Sequence, residues 1–100
     1  VSISIVVKQD LLLGCPGELG RGFPFKAGEI VRIGWVPTRN GDGREADALS
    51  FWTGADIDFG LIFNPKDVAE VRITADESCL EFIQRMWPGG PITILPARTT

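Results

Sequence analysis

The chain predicts a mainly β fold with one helix, the α+β class. Three observations carry this. Short β-branched and aromatic runs alternate with period two and are punctuated by Gly, Pro, Asn and Asp. One late segment switches to a period of three to four. The length of 100 residues, 44% hydrophobic and 23% charged, fits one ordinary core and a single domain over residues 1–100.

The elements follow in order. In Val1 to Val7, Ile3, Ile5 and Val7 fall on one face and Ser2 and Ser4 on the other. Lys8-Gln9-Asp10 interrupts, and Leu11-Leu12-Leu13 continues the strand after a bulge or bend. Residues 14–28 hold five glycines and two prolines, a density that predicts a long loop. Phe23 and Phe25 sit inside it, either folded back on the core or available for binding. Glu29 to Pro37 reads as a strand, with Val31, Ile33 and Trp35 sharing a face. Thr38 to Asp47 is polar and contains Asn40-Gly41-Asp42-Gly43, a turn signal. Two strands follow, Ala48 to Thr53 and Ile57 to Phe63, with a tight reversal at Gly54-Ala55-Asp56. Asn64 to Asp67 is a turn that could carry 3₁₀ geometry. Val68 to Ile73 is the next strand, with Ala69, Val71 and Ile73 expected inward.

The helix is expected over about 75–86. Cys79, Leu80, Phe82, Ile83, Met86 and Trp87 recur on one side, and Glu81, Gln84 and Arg85 fall between them. Thr74-Ala75-Asp76-Glu77 has the form of a capping box. Pro88-Gly89-Gly90-Pro91 ends the helix. Ile92 to Leu95 is a short final strand, and 96–100 reads as a loose tail. The expected architecture is a small, curled antiparallel sheet, or a barrel, of five to six strands with the helix packed on it.

Two segments, Phe25 to Ile33 and Phe63 to Val68, resemble parts of the SH3-like small β-barrel. Phe25-Lys26-Ala27-Gly28-Glu29-Ile30-Val31-Arg32-Ile33 resembles the approach to the second strand of such barrels. Phe63-Asn64-Pro65-Lys66-Asp67-Val68 resembles the short turn before their last strand. The acidic-aromatic run usual in the long loop is missing, and the minimal barrel has no place for the helix and its extra strand. The resemblance concerns the fold, and fold does not fix function.

Several chemistries are disfavoured. With no histidine, the Ser-His and Cys-His pairs and most zinc and haem sites are missing. Cys15 and Cys79 cannot form a zinc site alone. Cys15 lies in the loop, and Cys79 reads as a buried, inert thiol. Gly17 to Gly22 lacks both the spacing and the following helix of a phosphate loop. Asp56 and Asp58 could pair on one strand face, but Asp56 falls in a turn. No catalytic residue, metal ligand or cofactor is expected.

The net charge of −3 is uneven: residues 41–81 carry three basic and ten acidic groups. No Lys/Arg stripe suggests nucleic-acid binding, and no apolar run is long enough for a membrane-spanning helix. Cys15 and Cys79 could close one disulfide, but small secreted domains usually carry more bridges, so two reduced thiols in a cytoplasmic protein are expected. The acidic stretch could simply be solvated surface, or it could attract a basic partner.

The tryptophans are the most informative residues. Trp35 and Trp52 fall on neighbouring strands and Trp87 ends the helix. Exposed rings beside carboxylates suit cations and proline-containing or basic peptides; buried, the same rings would fill the core. The candidate binding residues are Phe23, Phe25, Trp35, Trp52, Asp56 and Asp58. The expected function is a non-enzymatic module that recognises a protein or peptide. The alternative is a small-molecule binder holding an organic cation or aromatic ligand between sheet and helix. A homodimer would follow if Ile92 to Leu95 formed an open edge.

Overall fold

The computed structural model describes residues 3–14, 22–53 and 61–97. Residues 1–2, Cys15 and the rest of 15–21 in the glycine-rich stretch, the expected reversal at 54–56, the first part of the 57–63 strand and residues 98–100 lie outside these.

The fold is mainly β with one helix. Its central sheet is built from β1 (Ile3–Val7), β4 (Ile30–Ile33), β7 (Val68–Thr74) and β8 (Ile92–Leu95), in the order β4-β1-β7-β8. Two ribbons stand beside it: β2 (Leu11–Gly14) with β3 (Gly22–Phe25), and β5 (Phe51–Trp52) with β6 (Ile62–Phe63). Among the described residues the strands form separate sheets and close no barrel. The central sheet is mixed, where an antiparallel one was expected. β8 runs parallel to β7 because the helix α1 (Leu80–Met86) makes the crossover between them.

The first strand follows its pattern. Ile3, Ile5 and Val7 are buried and alternate with half-buried Ser4 and Val6. Their neighbours in register, Ile33 on β4 and Val71 and Ile73 on β7, are buried on the same face. Phe51, Leu61 and Phe63 from the β5–β6 region join them in one hydrophobic cluster with Phe82 and Ile83 of the helix.

Four expectations need correction. First, the 14–28 loop contains β3. Phe23 and Phe25 alternate with Gly22 and Pro24 and pair with Leu13 and Leu11. A two-stranded ribbon tolerates the missing N–H of Pro24. Second, Val68 takes the inward place expected for Ala69. The β1–β7 register slips between Val6 and Val7, so that Val6 faces Glu70 and Val7 faces Val68. An extra residue of this kind re-aims the side chains beyond it.

Third, the alternation expected through Trp35 breaks at Gly34. The N–H groups of Gly34 and Trp35 both donate to the Trp52 carbonyl, at 2.7 and 3.2 Å. That sharing is the mark of a β-bulge. Val36 is therefore buried and Trp35 exposed.

Fourth, the helix begins at Leu80, with Cys79 as its N-cap, instead of near 75. Thr74 ends β7 with its side chain buried, and the Ala75 N–H donates to the Leu95 carbonyl. Turns closed by Glu77 N–H to Thr74 and Leu80 N–H to Glu77 then lead into the helix. The start is delayed because the parallel strand holds Ala75. The 3₁₀ turn at Pro65–Asp67 and the final strand at Ile92–Leu95 stand where expected.

Candidate functional site

The site residues sort by strand face. β5 and β6 pair Phe51 with Phe63 and Trp52 with Ile62. The two phenylalanines are fully buried, so the residues of the second pair share the outward face. Trp35 lies opposite Trp52 in an antiparallel bridge. Cross-strand neighbours share a face, so Trp35, Trp52 and Ile62 form one row. Trp35 is 49% exposed, Ile62 is 40% exposed and Trp52 is half-buried.

The two indoles stack with ring centroids 5.3 Å apart and planes inclined at 30°. The Trp52 N–H donates to the Trp35 carbonyl at 3.0 Å, and the Trp52 indole Nε1–H donates to Ser50 Oγ at 3.1 Å. The bulge turns Trp35 outward, and this ladder holds its backbone. A stacked indole pair, Trp35 exposed and Trp52 half-buried, is thus held at the surface on a fixed scaffold.

Phe23 and Phe25 are placed differently. Both are half-buried and pack against the core. The Phe25 ring meets Phe63 edge-on, with centroids 5.0 Å apart. They therefore join the core side of the ribbon, away from the Trp35–Trp52–Ile62 row. Their alternation with Gly22 and Pro24 was the period-two signal that marks a strand. Asp56 and Asp58 lie outside the described residues. The ends of their segment are tied together, since Thr53 N–H donates to the Leu61 carbonyl at 3.1 Å and Leu61 N–H to Thr53 Oγ1 at 2.9 Å. Ile62 was not among the candidate residues. Its place opposite Trp52 depends on the register of β5 against β6, which local patterning does not encode.

Trp87 stands apart. Its indole covers Gly90 in a surface hollow shared with Lys8, Pro65, Lys66 and Pro91. A second, polar cleft of about 380 Å³ separates the helix from the turn at Asn40–Gly43. Arg85 crosses to Glu45 at 2.7 Å, and its guanidinium lies over the Phe82 ring. Phe82 and Ile83 are buried in the core on the inner side of the helix.

Cys79 is a free, buried thiol. Burial pushes its pKa up, and the Glu77 carboxylate adds to this. A thiol held neutral in this way is a poor nucleophile. Among the described residues no group of three or more Cys, Asp or Glu side chains gathers to hold a metal ion. No helix among them is long and apolar enough to cross a membrane. Comparison with known proteins found no matching family model, no matching characterised sequence and no matching solved structure.

Proposed function

We propose that the protein is a non-enzymatic recognition module that docks a peptide or protein partner on the Trp35–Trp52–Ile62 row. The supporting observation is the stacked indole pair left open to water on a hydrogen-bonded ribbon. Large rings exposed beside one another are the residue type that dominates binding energy at interfaces. The favoured partner chemistry is an extended segment with proline and basic residues. Prolyl rings lie flat on indoles, and a preformed polyproline helix loses little entropy on docking. A Lys or Arg side chain gains from the indole face, and the acidic balance of residues 41–81, which include Asp56 and Asp58, favours a basic partner.

The test uses an array of proline- and arginine-containing peptides, followed by titration of the best binder. Trp35→Ala should weaken binding by about tenfold or more, as truncating an anchoring Trp does. Its unfolding should stay as cooperative as that of the parent, because the ring is half exposed. Asp56→Asn with Asp58→Asn should flatten the salt dependence. Equal affinity in the parent and Trp35→Ala would remove the row from the reading.

A further inference from the structure

We propose that β8 pairs antiparallel with β8 of a second copy of this chain, joining two four-stranded sheets into one. The inference is independent of the Trp35–Trp52–Ile62 row.

Among the described residues β8 is the last strand of its sheet, with β7 as its neighbour on one side. Its hydrogen-bonding phase follows from the ladder. The Val71 N–H donates to the Pro91 carbonyl and the Ala75 N–H to the Leu95 carbonyl. In a parallel ladder with this register, the main-chain groups of Thr93 and Leu95 also turn toward β7. The N–H and C=O groups of Ile92 and Ile94 then point out of the sheet edge.

The edge carries none of the devices that protect exposed strands. Proteins blunt such edges with charges, bulges or an internal proline. Ile92-Thr93-Ile94-Leu95 has no charge and no proline; Pro91 and Pro96 only bound it. Ile94 is 48% exposed and Leu95 41%. The strand at the opposite edge, β4, carries Arg32 inside it, so pairing with itself would bring two guanidinium groups together.

The order of residues selects the partner. Ile92-Thr93-Ile94 reads the same in both directions. A two-fold axis at Thr93 places Ile92 opposite Ile94 of the second copy, and Ile94 opposite Ile92. These two pairs exchange the outward N–H and C=O groups. The isoleucines of both copies meet on the core side of the sheet. On the other side Thr93 faces Thr93, and each Leu95 falls opposite Pro91. Such an interface is isologous and closes at two copies.

The experiment combines sedimentation equilibrium from micromolar to millimolar protein with amide hydrogen exchange on the intact chain. Dimerisation with concentration should slow exchange at Ile92 and Ile94, while Thr93 and Leu95 are slow at every concentration. Ile94→Pro removes an N–H that points away from β7, so the β7–β8 ladder keeps its bonds. It should weaken association by about tenfold or more. Thr93→Lys serves as a second variant, since it sets two cations across the axis and should weaken association in the same direction. A chain monomeric at millimolar concentration overturns the proposal. So does a dimer in which Ile92 and Ile94 exchange fast or that both variants leave unchanged. Concentration-independent protection of these two amides would also overturn it, because the edge would then be covered from within one chain.

Discussion

Gly90 and Gly89 are adjacent glycines needed for different reasons. A Cβ built on Gly90 would lie 2.0 Å from Trp87 Cδ2, inside the ring. The Gly90 N–H closes the turn onto the Trp87 carbonyl at 3.0 Å, so the backbone has little room to retreat. Gly89 meets nothing within 4 Å but has φ +80°, which costs other residues about 1–2 kcal/mol. Gly90→Ala should cost a similar amount, about 1–3 kcal/mol, by overpacking. The variants separate by fluorescence. Gly90→Ala must lift the indole and raise acrylamide quenching, whereas Gly89→Ala should lower the thermal midpoint with quenching unchanged. If Gly90→Ala has parent stability and parent quenching, Trp87 does not pack on this turn.

At the scale of elements, β7 and β8 are joined by more than their ladder. Thr93 Oγ1 donates to Glu70 Oε2, which also accepts from Arg72 Nε at 3.4 Å. The Thr93 hydroxyl, and Arg72 after it, hold the Glu70 carboxyl below its ordinary pKa of 4.5. A carboxylate lowered on folding adds stability above its unfolded pKa, and that contribution is lost as pH falls through the folded one. Thr93→Val should therefore raise the Glu70 midpoint, followed by carboxyl NMR, and shrink the loss of stability on acidification below 4.5. An unmoved midpoint would mean that Thr93 does not hold the carboxylate. The strands of this seam were legible in sequence, as was the helical stripe from Cys79 to Trp87. Their pairing was not. The inward place of Val68, the outward turn of Trp35 and the late start of the helix are each set by a partner strand distant in sequence. The same holds for the site. Trp35 and Trp52 could be placed on neighbouring strands from local pattern, but the face they share and the presence of Ile62 come from bulge and register.

At the scale of the molecule, the order β4-β1-β7-β8 puts the first strand in the middle of the sheet. β1 pairs with β4 on one side and, across most of the chain, with β7 on the other. Ile5 lies where these pairings meet, opposite Val31 and Val71, and is fully buried. The cluster containing it also holds Phe51 and Phe63 beneath the tryptophan row, and Ile83 of the helix. A cavity at Ile5 should be felt in all of these, because close-packed interiors do not confine strain to one element. Ile5→Ala should cost about 2–5 kcal/mol. Denaturant unfolding would be followed by far-ultraviolet circular dichroism, which reports the sheet, and by tryptophan fluorescence, which reports the β5–β6 ribbon and the helix end. If the cluster is one cooperative unit, both midpoints fall together and remain coincident. A fluorescence midpoint that stays at the parent value while the dichroism midpoint falls would show the ribbon holding its indoles independently of the sheet. The row would then be carried by a separate folding unit, its rigidity coming from Phe51, Phe63 and the Trp35–Trp52 hydrogen bonds.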